Sequence, residues 1–233
     1  MIEIKALGSS SKGNGYWVTD GSTPLLLECG LPFKEIQRGV NFQVSSLAGC
    51  LVSHEHKDHS KSIHDVLKAG IGVYASKGTF ESLNITHHRK REIQAKTQFK
   101  IDTWTILPFD IQHDVSEPLG FILANQQGEK ILFATDTYYI KYRFQGITHL
   151  MIECNYSLDI LNANIANGTV PKAMKKRLMQ SHFSLENMKE FLKVNDLSKV
   201  REIWLLHLSD NNSNADFFKK EIQELTGKVV IVP

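Results

Sequence analysis

The chain has 233 residues, 42% of them hydrophobic and 22% charged, with 27 basic and 25 acidic side chains and a formal charge of +2. This balance excludes a disordered or fibrous chain, and the length is that of one domain with a substantial core. The near-zero net charge exerts no long-range pull on a polyanion, although a local basic face is compatible with it. No apolar run reaches the roughly 18 residues of a membrane helix, and the opening MIEIKALGSS has no basic head followed by an apolar stretch. The expectation is therefore a cytoplasmic protein with no membrane partner. Cys29, Cys50 and Cys154 form no CxxC pair, which argues against a disulfide framework or a thiolate zinc site and for buried, inert thiols.

Short β-rich runs come first in the chain: Ile2–Leu7, Tyr16–Thr19, Leu25–Glu28 and Leu47–Val52. The turn-forming stretches GSSSKGNG and DGSTP separate them, and the pattern predicts an antiparallel meander. Helices are predicted over Ser60–Lys68 and Ser76–Leu83, followed by strands over Trp104–Ile111, Leu119–Leu123, Ile131–Ala134 and His149–Ile152. Helices over Pro171–Met179 and Ser184–Val194 come next, with Ser184 as an N-cap. A strand over Ile203–Leu206 and a final helix over Ala215–Leu225 complete the map. No repeat or linker interrupts the pattern. Residues 1–233 are expected to form a single α/β domain, a four-layer αββα sandwich with helices outside packed sheets.

Several apolar runs end in a residue able to bind a metal: GCLVS before His54, ILPFDIQ before His113, ILFAT before Asp136 and IWLL before His207. Rigid strands that deliver reactive side chains to emerging loops are a common way to build a site. The segment SHEHKDH gathers His54, His56, Asp58 and His59, and such imidazole and carboxylate donors suit borderline and hard divalent cations. Taken alone, the other residues are ambiguous. His113 reads as an exposed strand-end histidine, and Asp136 as a turn former before a short helix at Thr137–Lys141. His207 reads as either a backbone-bonded core histidine or a ligand. Together with SHEHKDH they read as ligands. His64, His87, His88 and His149 lack this placement, and the run from His87 to Arg91 reads as a solvated basic loop.

The order HxHxDH, distant His, Asp, last His resembles the metallo-β-lactamase-fold hydrolases over essentially the whole chain. That resemblance implies a dinuclear centre binding two divalent ions, Zn or else Mn or Fe. His54, His56 and His113 would hold one ion, Asp58, His59 and His207 the other, and Asp136 would bridge them with a shared hydroxide. Asp58 is thereby also a candidate catalytic carboxylate. His56 departs from the flavodiiron redox members, which carry an acid at that position. The stretch from Asp136 to His207 is too short for the inserted cap of one nuclease group, and the stretch from His59 to His113 shows no glycine-rich arm like that of the tRNA 3′-processing members.

MIECN and SHFSLE further resemble the pair of motifs that give the phosphodiesterase branch a Glu–His couple, here Glu153 and His182. A carboxylate partner raises an imidazole's pKa and suits it to general-acid work; the plain alternatives are a strand-terminal acid and a histidine beside an N-cap. GSSSKGNGYWV, SHEHKDH, EPLGFIL, FATDT, IECNYS, SHFSLEN and LLHLSDNNS together are most similar to the YycJ-like (WalJ) subfamily. This likeness implies a DNA-directed phosphodiesterase with 5′-to-3′ exonuclease action. Ser9, Ser10, Lys12, Asn14 and Asn155 are candidate substrate contacts, although the four in the opening loop read equally as turn residues. Two other functions remain open from the sequence: a hydrolase of a small cyclic phosphodiester, thioester or lactone, and a metal-stabilised DNA-binding module that does not cut.

Overall fold

A two-residue turn at Ser11–Lys12 closes the hairpin between β1 (Glu3–Ser10) and β2 (Gly13–Thr19) in the computed structural model, which describes Met1–Pro233. The chain divides into two compact units, one comprising Met1–Asp110 and Val115–Glu129, the other Ile111–Asp114 and Lys130–Pro233.

In the first unit β3 (Leu25–Leu27) pairs antiparallel with β2, and α1 (Phe33–Gly39) follows it. The strand β4 (Gly49–Leu51) joins β3 in parallel, with Leu26 opposite Cys50. The predicted meander therefore holds for β1 to β3 and fails at β4, because α1 and the turn after it carry the chain back before β4 begins. After α2 (Lys57–Ser60) and α3 (Ile63–Lys68), β5 (Val73–Ala75) adds in parallel to β4. Then α4 (Lys77–Ser82) leads to β6 (Lys90–Glu92), parallel to β5. Ser76 caps α4 by accepting a hydrogen bond from the Thr79 amide at 3.1 Å. Ile36, Val40, Val52, Val66 and Phe80 are among the residues that fill the core of this unit. A separate ladder of β7 (Phe99–Ile101), β8 (Trp104–Asp110) and β9 (Leu119–Ala124) is antiparallel throughout.

In the second unit β10 (Lys130–Ala134), β11 (His149–Glu153), β12 (Glu202–Leu206) and β13 (Val229–Ile231) pair in parallel in that order. Their unbroken apolar runs are what strands covered on both faces require. The helices are α5 (Leu158–Ala166), α6 (Lys172–Ser181), α7 (Leu185–Val194) and α8 (Ala215–Thr226). Ser184 caps α7 as expected, accepting from the Asn187 amide at 3.1 Å. The helix buries Leu185, Met188, Phe191 and Leu192, a stripe at helical spacing. Its Lys189 forms an ion pair with Glu221 of α8. Gly227 ends α8 in the left-handed conformation that glycine adopts without strain. No helix follows Asp136, so the short helix considered at Thr137–Lys141 does not form. No helix of the chain is long and apolar enough to cross a membrane. All three cysteines are buried and unpaired, and burial pushes the Cys50 and Cys154 thiols far up, in keeping with inert side chains.

One glycine is demanded by close approach. A Cβ on Gly30 would lie 1.7 Å from the Asp58 carbonyl oxygen, because the segment after β3 is strapped to α2 by the bond from the Cys29 amide to the His59 carbonyl at 2.9 Å. Gly30→Ala must push α2 away. The expected loss is at or above the ~1–3 kcal/mol typical of overpacking; urea denaturation showing wild-type stability would refute this account.

Candidate metal centre

The first unit contributes the loop after β4. His54 and His59 are completely buried, with ring centroids 4.3 Å apart, and the His54 and His56 rings meet edge to face at 4.8 Å. Ser53 Oγ lies 2.9 Å from His54 Nδ1 and fixes that ring. His59 Nε2 is 3.3 Å from an Asp58 carboxylate oxygen. Asn14 is buried, and its amide reaches His59 Nε2 at 3.1 Å and donates to the Asp58 carbonyl at 3.2 Å. Behind it, Tyr16 donates to Asn14 Oδ1 at 3.3 Å, and its hydroxyl bonds Ser9 Oγ at 2.8 Å. The opening hairpin thus braces the histidine loop through Ser9, Tyr16 and Asn14. Ser10 and exposed Lys12 sit at the hairpin turn.

Glu28 escaped the sequence reading. It is fully buried and accepts from the Ser53 amide at 3.2 Å, with its other oxygen 3.7 Å from His59 Nδ1. Burial raises its pKa, outweighing the opposing effects of His59 and Ser53. The same rule that picked out Asp136, an acid closing an apolar strand, was available in LLLE. Carboxylates behind metal-binding imidazoles commonly set ring orientation in this way.

The second unit contributes four strand or loop ends. His113 follows the β8 run, its Nδ1 3.2 Å from Asp114 Oδ1 and its Nε2 4.0 Å from Asp136 Oδ2. Asp136 follows β10, and its Oδ1 lies 2.8 Å from His207 Nδ1 beyond β12. Glu153 closes β11. Its Oε1 lies 2.6 Å from His182 Nδ1 and 3.2 Å from His207 Nδ1, while Oε2 accepts from the Thr137 and Phe183 amides at 3.0 and 3.1 Å. One donor atom from each of Asp136, Glu153, His182 and His207 falls within 4.8 Å of the others. Asn155 is buried and donates to the His207 carbonyl at 2.8 Å, so its amide is turned toward the loop that carries His207.

Residues 26–207 match the family described as the Beta-lactamase superfamily domain. The chain belongs to the β-lactamase superfamily. Among relatives of this superfamily member, Exodeoxyribonuclease YycJ of Bacillus anthracis is 24% identical over 96% of this chain and 89% of its own length. Exodeoxyribonuclease WalJ of Streptococcus pneumoniae is 28% identical over 91% of this chain and 83% of its own length. The crystal structure of the metallo-β-lactamase fold protein YhfI from Bacillus subtilis aligns with 100% of this chain and 97% of its own, with a TM-score of 0.78 at 16% identity. The two-sheet α/β architecture expected from the sequence is thus the metallo-β-lactamase fold. Every residue of the His/Asp/Glu set lies within the matched segment of this superfamily member.

The donor chemistry fits a divalent metal. Buried imidazoles and carboxylates converge in each unit, a combination that a purely apolar core has no reason to collect. Asp136, His207 and Glu28 also share a backbone signature: all three are non-glycine residues in the left-handed region, with φ of 47°, 53° and 63°. Each costs on the order of 1–3 kcal/mol, strain of the kind that concentrates at functional sites.

Within the Glu153–His182 pair, burial disfavours the imidazolium, but the charge and hydrogen bond of Glu153 prevail and raise the His182 pKa. Burial likewise opposes the Glu153 carboxylate, and His182 brings it below its ordinary range. The stabilisation due to the raised His182 is complete below its ordinary 6.5 and fades as pH rises through the higher folded value. The part due to Glu153 is present above 4.5 and fades as pH falls through its lowered value. The stability gap between wild type and His182→Gln should therefore be widest between those limits and shrink toward alkaline pH. Urea denaturation across pH checks this, and a gap that widens with rising pH would contradict it.

Proposed function

We propose that this chain is a metal-dependent phosphodiesterase that hydrolyses DNA as a 5′-to-3′ exonuclease. The observation that carries the reading is the Glu153–His182 hydrogen bond, which leaves a raised-pKa imidazole backed by a carboxylate that two backbone amides hold in place. The exodeoxyribonuclease names of its relatives supply the substrate class.

In this reading His54, His56 and His113 would hold one divalent ion and Asp58, His59 and His207 a second, with Asp136 as a further carboxylate ligand. Zn, Mn and Fe all suit these donors. When bound, two such ions supply Lewis acidity at neutral pH and offset charge growing on the phosphate oxygens. The remaining work falls to the protein. His182, charged and oriented by Glu153, gives its proton to the departing alkoxide oxygen. Glu153 is a positioning residue: its Oε2 is committed to the Thr137 and Phe183 amides, which fixes the carboxylate that orients the ring. Asn14 and Asn155 hold the ligand loops, while Ser10 and Lys12 at the hairpin turn meet phosphates of the strand.

A gel assay on end-labelled single- and double-stranded DNA with Mn²⁺, Zn²⁺ or EDTA tests the reading. Wild type should cut only with metal, and Asp136→Ala should lose both cutting and bound metal. A metal-replete, active Asp136→Ala protein, or no cutting with any ion, would sink the assignment. His182→Ala should retain its metal yet fall by ~10²–10⁴-fold on DNA, the usual worth of a positioned acid, and far less on an activated aryl phosphodiester whose leaving group needs no proton. Equal losses on both substrates would remove the general-acid role.

A further inference from the structure

The segment Thr137–Gly146, between Asp136 and β11, reads TYYIKYRFQG and contains no acid. It has no regular secondary structure, yet its backbone is fastened at both ends. The Thr137 amide donates to Glu153, the Tyr138 amide to the Gln112 carbonyl at 3.1 Å, and the Phe144 amide to Asn195 Oδ1 at 2.7 Å. The Asn187 side chain of α7 donates to the Tyr138 carbonyl at 3.1 Å. This fixed loop and α7 enclose a cavity of about 300 Å³, which Tyr139, Lys141, Tyr142, Arg143, Phe183 and Phe191 help to line. Phe183 packs edge to face against Phe191, with centroids 6.2 Å apart, and makes an apolar floor. Tyr139 remains 56% exposed, and Lys141 and Arg143 are exposed beside it. Lys141 Nζ lies 5.2 Å from the Tyr142 ring centroid. The one acid on the rim, Glu190, is paired with Lys193 at 2.8 Å.

From this we infer that the cavity is a subsite for one nucleobase of single-stranded DNA, with Tyr139 as the stacking face and Lys141 and Arg143 as partners of the adjoining phosphates. The inference rests on the DNA-phosphodiesterase reading for its substrate class. The local argument is that aromatic rings interleaved with cations on an acid-free segment, with the single rim acid paired to a lysine, are the combination by which proteins take single strands without reading sequence. Position supports it too. Phe183, on the cavity floor, directly follows His182 in the chain.

The test is fluorescence anisotropy of the metal-replete protein with a fluorescein-labelled phosphorothioate oligothymidylate, which resists cutting, and with the same backbone carrying abasic sites. Wild type should prefer the base-bearing strand by at least about fivefold, the lower end of a stacking contribution. Tyr139→Ala should erase that preference and Tyr139→Phe, which keeps the ring, should retain it. Replacing Lys141 and Arg143 together by Gln should flatten the slope of log affinity against log salt by about 1.4, at ~0.7 per phosphate contact. An unselective wild type, a Tyr139→Ala protein as selective as wild type, or an unchanged salt slope would each overturn the subsite. Hydrolysis of unmodified DNA, scored separately, keeps the two readings apart. Cutting without base preference removes the subsite alone, and base preference without cutting removes the hydrolase alone.

Discussion

A carboxylate buried at the end of a strand has to find all its partners inside the protein, and Glu153 imposes that demand on everything near it. Its two oxygens collect the Thr137 amide, the Phe183 amide and the Nδ1 atoms of His182 and His207. Those partners come from the turn after β10, the junction of α6 and α7, and the loop after β12. Satisfying one charge therefore fixes three loops that are far apart in sequence, which carry Asp136, His182 and His207. Glu28 has a smaller version of this role in the first unit, where it ties Ser53 to the end of β3 and faces the His59 ring at 3.7 Å.

The strained residues follow from the same need. A strand delivers its last side chain above or below the sheet, whereas Asp136 and His207 must be turned toward each other across the end of β11, which separates their strands. A left-handed φ at each makes that turn in one residue, and the surrounding hydrogen bonds hold it. Thr135 Oγ1 donates to Asp136 Oδ1 at 2.9 Å, and Asn155 restrains the carbonyl of His207. Side chains so restrained need little rearrangement to receive a ligand, which is the physical content of preorganisation.

Much of this was legible in the sequence. The apolar runs that lead to His54, Asp136 and His207 mark strand ends, because a buried parallel strand is uniformly apolar and the polar residues after it announce the edge, whereas His113 follows the antiparallel β8. Ser184 declared the start of α7. What escaped was short or weakly patterned. The helix α1 has only Ile36 buried and no side-chain cap, and α5 buries Leu161 alone, so neither shows a helical stripe. The strands β5, β6, β7 and β13 span three residues each, too few for a period to emerge. The helix considered after Asp136 is absent for a local reason: Asp136 turns the chain left-handed, and Thr137 spends its hydroxyl on the Tyr139 carbonyl.

The helix α6 buries only Ser181, and that residue directly precedes His182. Amides in such a segment exchange through local opening well before the sheet does, since little apolar surface is exposed when it frays. The imidazole is nonetheless held from its other side, by Glu153 and by the Phe183 amide that bonds the same carboxylate. His182 thus sits at the seam between α6, which buries little, and the end of β11. Fraying on one flank then leaves the other in register, so the ring's alignment is insulated from the helix that precedes it.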